Sequence, residues 1–314
     1  MDFKALRIWR LVSRRLIAIC AGALVSASAG AAAARTMAIT FDDLPTHGAL
    51  PPGETRLTVV TRIIGALQSR GTPPVYGFAN GSPLEREPDL QPVLGAWRSA
   101  GFPLGNHTWA HSNLNEETSG AFETDVLRNE PVLKQQMGRA DWRWLRFPYL
   151  AEGETPEKAA AVRGFLGARG YRIAAVTMDF QDYAFNDPYA RCFDKGDLAG
   201  VARLERSYLN AAGAEISHAR ILSMAATGRE IPYVLLLHVG AFDAHMLPRL
   251  LSLYSENGFR FISLPEAEKD PFYRADVRLD LPASAGGLEA AVAARGLPVP
   301  PKPFKLDWLE SLCR

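Results

Sequence analysis

The chain is short of most features that would narrow its role at a glance. Its 35 Lys and Arg stand against 34 Asp and Glu, a formal charge of +1, which points to neither nucleic acid nor an anionic surface as partner. Cysteine is scarce: Cys20, Cys192 and Cys313 are the whole supply. Histidine is scarcer than its weight in the argument below suggests, at six residues. No internal repeat or long low-complexity segment appears. What remains is 47% hydrophobic and 22% charged residues over 314 positions, an ordinary globular composition with apolar material for a large core.

The first 34 residues read as a cleaved export signal. Lys4, Arg7, Arg10, Arg14 and Arg15 form a basic start, and Leu16 to Ala34 is an Ala-rich apolar run ending in four alanines. Gly, Ser and Ala leave that run weakly apolar for a bilayer span, which disfavours an uncleaved anchor. Ser13-Arg14-Arg15 partly resembles a twin-arginine signal, which places the mature protein in the periplasm. Removing residues 1–34 leaves 30 basic against 33 acidic residues, about −3 in charge. It also leaves Cys192 and Cys313, a candidate disulfide in an exported protein.

Beyond residue 34, short apolar β-type runs alternate with helix-like stretches. The runs are 38–41, 75–78, 102–105, 144–147, 173–177, 234–237 and 259–262; helical patterns cover 56–69, 88–100, 118–137, 156–169 and 246–257. Such alternation predicts an α/β fold with a mostly parallel sheet, open or closed into a barrel. Two segments break the rhythm. Residues 184–232 form an insertion with a helix-like stretch from Leu198 to Thr227, read as two packed helices forming a lid or side wall. Residues 267–314 are a Pro-rich tail expected to wrap on the domain.

Polar residues collect where the β-type runs end. Asp42 and Asp43 follow the first run, His107 and His111 the third, Arg146 and Tyr149 the fourth, Asp179 and Asp182 the fifth, and His238 the sixth. In parallel α/β folds the carboxyl ends of strands carry the active site, so these groups are expected on one rim. Two histidines four apart share a helix face or lie one turn apart, near enough to hold one metal; two exposed histidines at a helix start are the plainer alternative. Asp43 completes an Asp-His-His set suited to Zn2+, or to another divalent ion such as Co2+. Asp42 is then the base and Arg146 its orienting partner. Tyr149 offers a backbone N–H to an oxyanion. His238 is the acid, with Asp179 as the carboxylate that keeps it protonated.

In order, Thr40-Phe41-Asp42-Asp43, His107-Thr-x-x-His111, Arg146-x-Pro-Tyr149, Asp179-x-x-Asp182-Tyr183 and Leu236-x-His238 resemble the five motifs of the polysaccharide deacetylase family, also called NodB-homology or carbohydrate esterase family 4. The resemblance spans roughly Thr36 to Glu266. It implies a distorted (β/α)7 barrel over residues 35–266 and a metal-dependent deacetylase of N- or O-acetylated sugars in peptidoglycan, chitin-type oligomers or exopolysaccharide. The same roles carry over to Asp42, Asp43, His107, His111, Arg146, Tyr149, Asp179 and His238. The chain departs from the pattern after the paired aspartates, where Leu44-Pro45 replace Gly and His47 is close by, and at Tyr183, where the family has Trp. Tyr149, Tyr183, Phe185 and Trp109 are candidates for stacking on sugar faces or for packing. Two other functions stay open at this stage: hydrolysis of a small amide or ring amide, as in allantoinase-like relatives, and a metal-containing carbohydrate-binding module without turnover.

Overall fold

A computed structural model describes residues 35–283 and 286–314; the export-signal reading of residues 1–34 lies outside the described residues. Seven strands form, all parallel: β1 Arg35–Leu44, β2 Tyr76–Ala79, β3 Leu104–Asn106, β4 Trp144–Leu145, β5 Arg172–Ile173, β6 Tyr233–His238 and β7 Phe259–Ile262. The sheet order is β5-β4-β3-β2-β1-β6, with β7 paired to the start of β1. β1 is the axis of the fold. Met37 to Phe41 are buried on both faces, as expected of a strand inside a parallel sheet covered by helices.

β5 is shorter than its apolar run. The ladder with β4 ends at Ile173, and the chain then crosses to β6, where Met178 bridges Leu235. The carbonyls of Ala174 and Ala175, which leave the ladder, accept instead from the Arg146 guanidinium at 2.8 and 3.5 Å. This crossing turns an open sheet into the distorted (β/α)7 barrel, because the strand at one edge reaches the strand at the other.

The connecting helices begin where side chains satisfy the free N–H groups of the first turn. Thr55 and Thr58 form a reciprocal cap on Arg56–Ser69, and Thr118, Thr155 and Asp197 cap the helices that follow them. The insertion corrects one expectation: Leu198–Thr227 is a single 30-residue helix rather than two. A shorter helix, Asn186–Asp194, packs against it. The C-terminal tail returns to this pair, and Cys192 on the short helix is joined to Cys313. Insertion and tail belong to the same compact unit as the barrel.

Candidate active site

A regular strand would send Asp42 and Asp43 to opposite faces. β1 does not stay regular. Its register with β2 slips between Phe41 and Leu44, and Asp43 sits at φ +64, in the left-handed region that non-glycine residues rarely enter. The kink brings both carboxylates to one side. His107 Nε2 lies 3.5 Å from Asp43 Oδ1 and 3.7 Å from Asp42 Oδ2. Without the kink, strand alternation would have kept the two carboxylates apart.

His107 and His111 are not on a helix either. They lie in the loop after β3, with Thr108 and His111 at φ +63 and +59. That loop packs the two rings edge to face at 4.8 Å. His107 Nδ1 is 2.8 Å from the Arg146 carbonyl. A carbonyl only accepts, so Nδ1 carries the proton and the Nε2 lone pair faces Asp43. His111 Nε2 lies 3.3 Å from the same Asp43 Oδ1. Burial pushes His111 down to about 4, with the neighbouring His107 adding to it. It therefore presents a neutral imidazole at ordinary pH.

These three residues suit a divalent metal by donor type and by spacing. Two imidazoles and one carboxylate are a usual set for zinc. An ion held tetrahedrally at about 2.0–2.1 Å sets its ligand atoms about 3.3 Å apart, and the pairs here stand at 3.3 and 3.5 Å. One ligand atom from each residue falls within 4.8 Å of the others. Burial alone would raise Asp43, but the neighbouring His107, His47 and His238 outweigh it and hold the carboxyl well below its ordinary range.

Asp42 is fixed from behind. Arg146 Nη1 lies 3.1 and 3.3 Å from its two oxygens, while Nη2 reaches Thr40 Oγ1 and Nε the Ala174 carbonyl. The guanidinium also lies 4.7 Å over the Phe78 ring. Together these anchors leave this buried side chain one orientation, which is the reason an arginine stands there.

His238 is the register partner of Asp42 across β6 and β1, so both side chains leave the sheet on the same side. Its carboxylate is not Asp179. Asp182 Oδ1 meets His238 Nδ1 at 3.0 Å, and Asp182 Oδ2 accepts the His238 backbone N–H at 2.6 Å. A left-handed turn at Gln181, φ +61 and ψ +44, swings the following short helix inward and aims Asp182 at the ring. Asp179 accepts instead from the Gln181 N–H, and its own backbone binds Glu215 and Lys302. It ties the tail to the strand end. Burial alone would lower His238, but the charge and hydrogen bond of Asp182, then Asp43 and Asp42, raise it to about 10.

Tyr149 lies in a turn at φ +58 with its ring 68% exposed, 4.6 Å from His111. Its N–H makes no hydrogen bond among the described residues, whereas those of Leu150 and Ala151 are taken by Phe147 and Pro148. Tyr183 is 45% exposed and stands edge-on to His238. Phe185 is fully buried, and Trp109 packs under Arg128, so these two are packing residues. One side chain was absent from the expected site: His47, whose Nδ1 lies 2.8 Å from Asp43 Oδ2 and whose ring lies 4.8 Å from that of His238.

With this geometry in hand, comparison with known proteins is informative. A family model described as polysaccharide deacetylase matches residues 29–168. A chitin deacetylase of Colletotrichum lindemuthianum is 27% identical over 154 residues, 48% of this chain and 54% of that protein. The chain thus spans about half the length of the curated relative it matches. The solved structure of the chitin deacetylase from that fungus superposes with a TM-score of 0.53 at 21% identity, over 74% of this chain and 87% of that one. A carbohydrate esterase family 4 pseudoenzyme from Bacillus anthracis superposes at 0.50 and 14% identity, over 75% and 66%. At these identities the superpositions establish the fold. A barrel described as a pseudoenzyme is a reminder that activity is argued from the site.

Proposed function

We propose that the chain, whose residues 29–168 match the polysaccharide deacetylase model, is a metal-dependent hydrolase of that family removing acetyl groups from N- or O-acetylated sugars. The observation that carries the reading is a single rim with three converging ligand atoms, an arginine-held carboxylate and a carboxylate-held histidine.

Asp43, His107 and His111 would hold the metal, Zn2+ or another divalent ion such as Co2+. When bound, it supplies Lewis acidity toward the acetyl carbonyl and toward water. Asp42 takes the proton of the attacking water, with Arg146 keeping its carboxylate turned to the site. The Tyr149 N–H faces the developing oxyanion. His238 is protonated at working pH, and it gives its Nε2 proton to the nitrogen or oxygen that leaves the acetyl carbon. The new C–O bond makes acetate, the C–N or C–O bond to the sugar breaks, and Asp42 returns its proton to solvent as His238 is recharged. Asp182 acts through His238, as its positioning residue.

Location is part of the same proposal. The basic, apolar segment at residues 1–34 and the Cys192–Cys313 bridge both fit an oxidising, extracytoplasmic setting. Among the described residues no helix is long and apolar enough to cross a membrane.

The test is acetate release from N-acetylglucosamine oligomers, peptidoglycan and acetylated xylan, with and without a chelator. Asp42→Ala is expected to lower turnover about 10²–10⁴-fold while metal content stays at the wild-type level. An Asp42→Ala protein that turns over normally sinks the assignment.

A further inference from the structure

One buried carboxyl close to His238 has no role in the reaction as proposed. Asp243 lies in the first turn of the helix Ala241–Glu256 and is fully buried. An acid in a first turn is ordinarily stabilised, ionised, by the free N–H groups and positive end of its own helix. Here that turn is capped from outside, where Asn186 Oδ1 accepts the Phe242 N–H at 3.2 Å. Asp243 turns into the interior instead. Gly240 leaves it room, since a Cβ there would stand 2.9 Å from Asp243 Oδ2.

The two oxygens of Asp243 meet different neighbours. Oδ1 accepts the Tyr208 hydroxyl of the insertion helix at 2.6 Å. Oδ2 is buried and receives no donor among the described residues. The other hydrogen-bonding neighbour of this carboxyl is Asp182, whose own oxygens accept from His238 Nδ1 and from the His238 backbone N–H. Two ionised carboxylates offer each other only lone pairs, so a hydrogen bond between them needs a proton on one. Asp182 is supplied with donors on both oxygens and Asp243 Oδ2 has none, which puts the proton on Asp243. Burial drives the Asp243 carboxyl well above its ordinary range and the charge of Asp182 adds to that, while the Tyr208 hydroxyl and His238 oppose it. Tyr208 and Tyr254, the buried phenols of this region, are themselves held well above their ordinary range and stay neutral.

We propose that Asp243 is a positioning residue for the general acid: it holds a proton and donates it to Asp182, so that Tyr208, Asp243, Asp182 and His238 form one hydrogen-bonded chain from the insertion helix to the reaction centre. A hydrogen bond delivered from behind fixes the plane of the Asp182 carboxyl, and with it the direction of His238 Nε2. It also leaves the two carboxyls with one negative charge between them, matching the single positive charge of the imidazolium they support. The inference rests on the deacetylase reading and adds to it two residues beyond 168, where the family match ends.

The experiment pairs infrared spectra with kinetics, both on the metal-loaded full chain near neutral pH. With isotope-labelled aspartate, the difference between wild type and Asp243→Asn is expected to contain a protonated-carboxyl C=O band that moves with the label. A difference without that band overturns the shared proton, whatever the substrate. Acetate release then tests the positioning. Asp243→Leu removes the donor and is expected to lower kcat about tenfold with KM near wild type. Asp243→Asn still accepts from Tyr208 and offers an N–H to Asp182, and should recover most of that loss. Tyr208→Phe deletes only the outer hydroxyl and is expected to cost about threefold in kcat, a test that does not depend on Asp243→Leu folding. Wild-type kcat in Asp243→Leu and Tyr208→Phe, or no recovery in an Asp243→Asn protein with wild-type circular dichroism, overturns the positioning role. If the band is found but the wild type releases no acetate from any acetylated sugar, the proton-sharing pair stands and the deacetylase reading falls. If acetate is released and the band is missing, the reverse holds.

Discussion

Two histidines on the same rim are driven in opposite directions. His111 is pushed down to about 4, while His238 is raised to about 10. Burial lowers both, so it does not make the difference. What differs is the carboxylate. Asp43 Oδ1 serves His107 and His111 together, and its other oxygen is taken by His47. His111 has only a share of that carboxylate to set against its burial, and the neighbouring His107 adds to the lowering. Asp182 is fully buried and gives both oxygens to His238, one to the ring and one to the backbone N–H, with the buried Asp243 carboxyl beside it. A carboxylate shared among imidazoles yields lone pairs for a metal, and one whose two oxygens both serve a single histidine yields a proton donor.

The largest expected effect breaks the shared half. His107→Ala removes the most buried member, whose tautomer is set by the Arg146 carbonyl. It is expected to abolish stoichiometric metal binding and, with it, activity. Metal analysis of the purified variant against wild type is the check, since a merely misfolded protein would also change its circular dichroism. Full metal occupancy in this variant would remove His107 from the ligand set.

The next effect breaks the undivided half. A general acid works only while protonated, so activity falls as pH rises through its pKa. With His238 raised to about 10, the wild-type alkaline limb should lie near that value. Asp182→Asn deletes the charge that raises it, and the limb is expected to move to lower pH. At pH 9 the loss should be about 10²-fold. Asp179→Asn should leave the limb near its wild-type place, because that carboxylate is bound to the Gln181 N–H. Profiles of kcat against pH for both variants decide between the two carboxylates; a shift with Asp179→Asn and none with Asp182→Asn would restore the sequence-based pairing.

That pairing shows where sequence reasoning stopped. Alternation and turn residues located all seven strands and most helices, because apolar periodicity is local. Strand-end placement also collected Asp42, Asp43, His107, His111, Arg146 and His238, because parallel strands point their carboxyl ends one way. Three things depended on backbone angles that periodicity does not carry. The left-handed residue at Asp43 turned both aspartates to one side, and the one at Gln181 exchanged Asp179 for Asp182. The apolar run at 173–177 looked like a full strand, yet the chain leaves the ladder after Ile173 because Arg146 takes the carbonyls that β4 would have faced. The Asp182 signal was available, since the Asp179-x-x-Asp182 motif offers two acids. Choosing between them needed the turn.

His47 gives the smallest effect and the finest test of the shared carboxylate. It follows the paired aspartates by four residues, in the stretch where the chain departs from its family pattern. With Nδ1 at 2.8 Å it engages Asp43 Oδ2 and leaves Oδ1 turned toward His107 and His111. Groups that orient a ligating side chain typically contribute 10–100-fold to metal affinity. Because His107 and His111 still converge on Asp43 without it, His47→Ala is expected near the lower end, about tenfold weaker binding. His47→Asn keeps an N–H donor close to the Nδ1 position and should recover most of the loss. Competition with a chromogenic chelator reads both values directly. If His47→Ala binds metal as tightly as wild type, the three-way division of Asp43 reduces to two, and the low position of its carboxyl must rest on His107 and neighbouring positive charge alone.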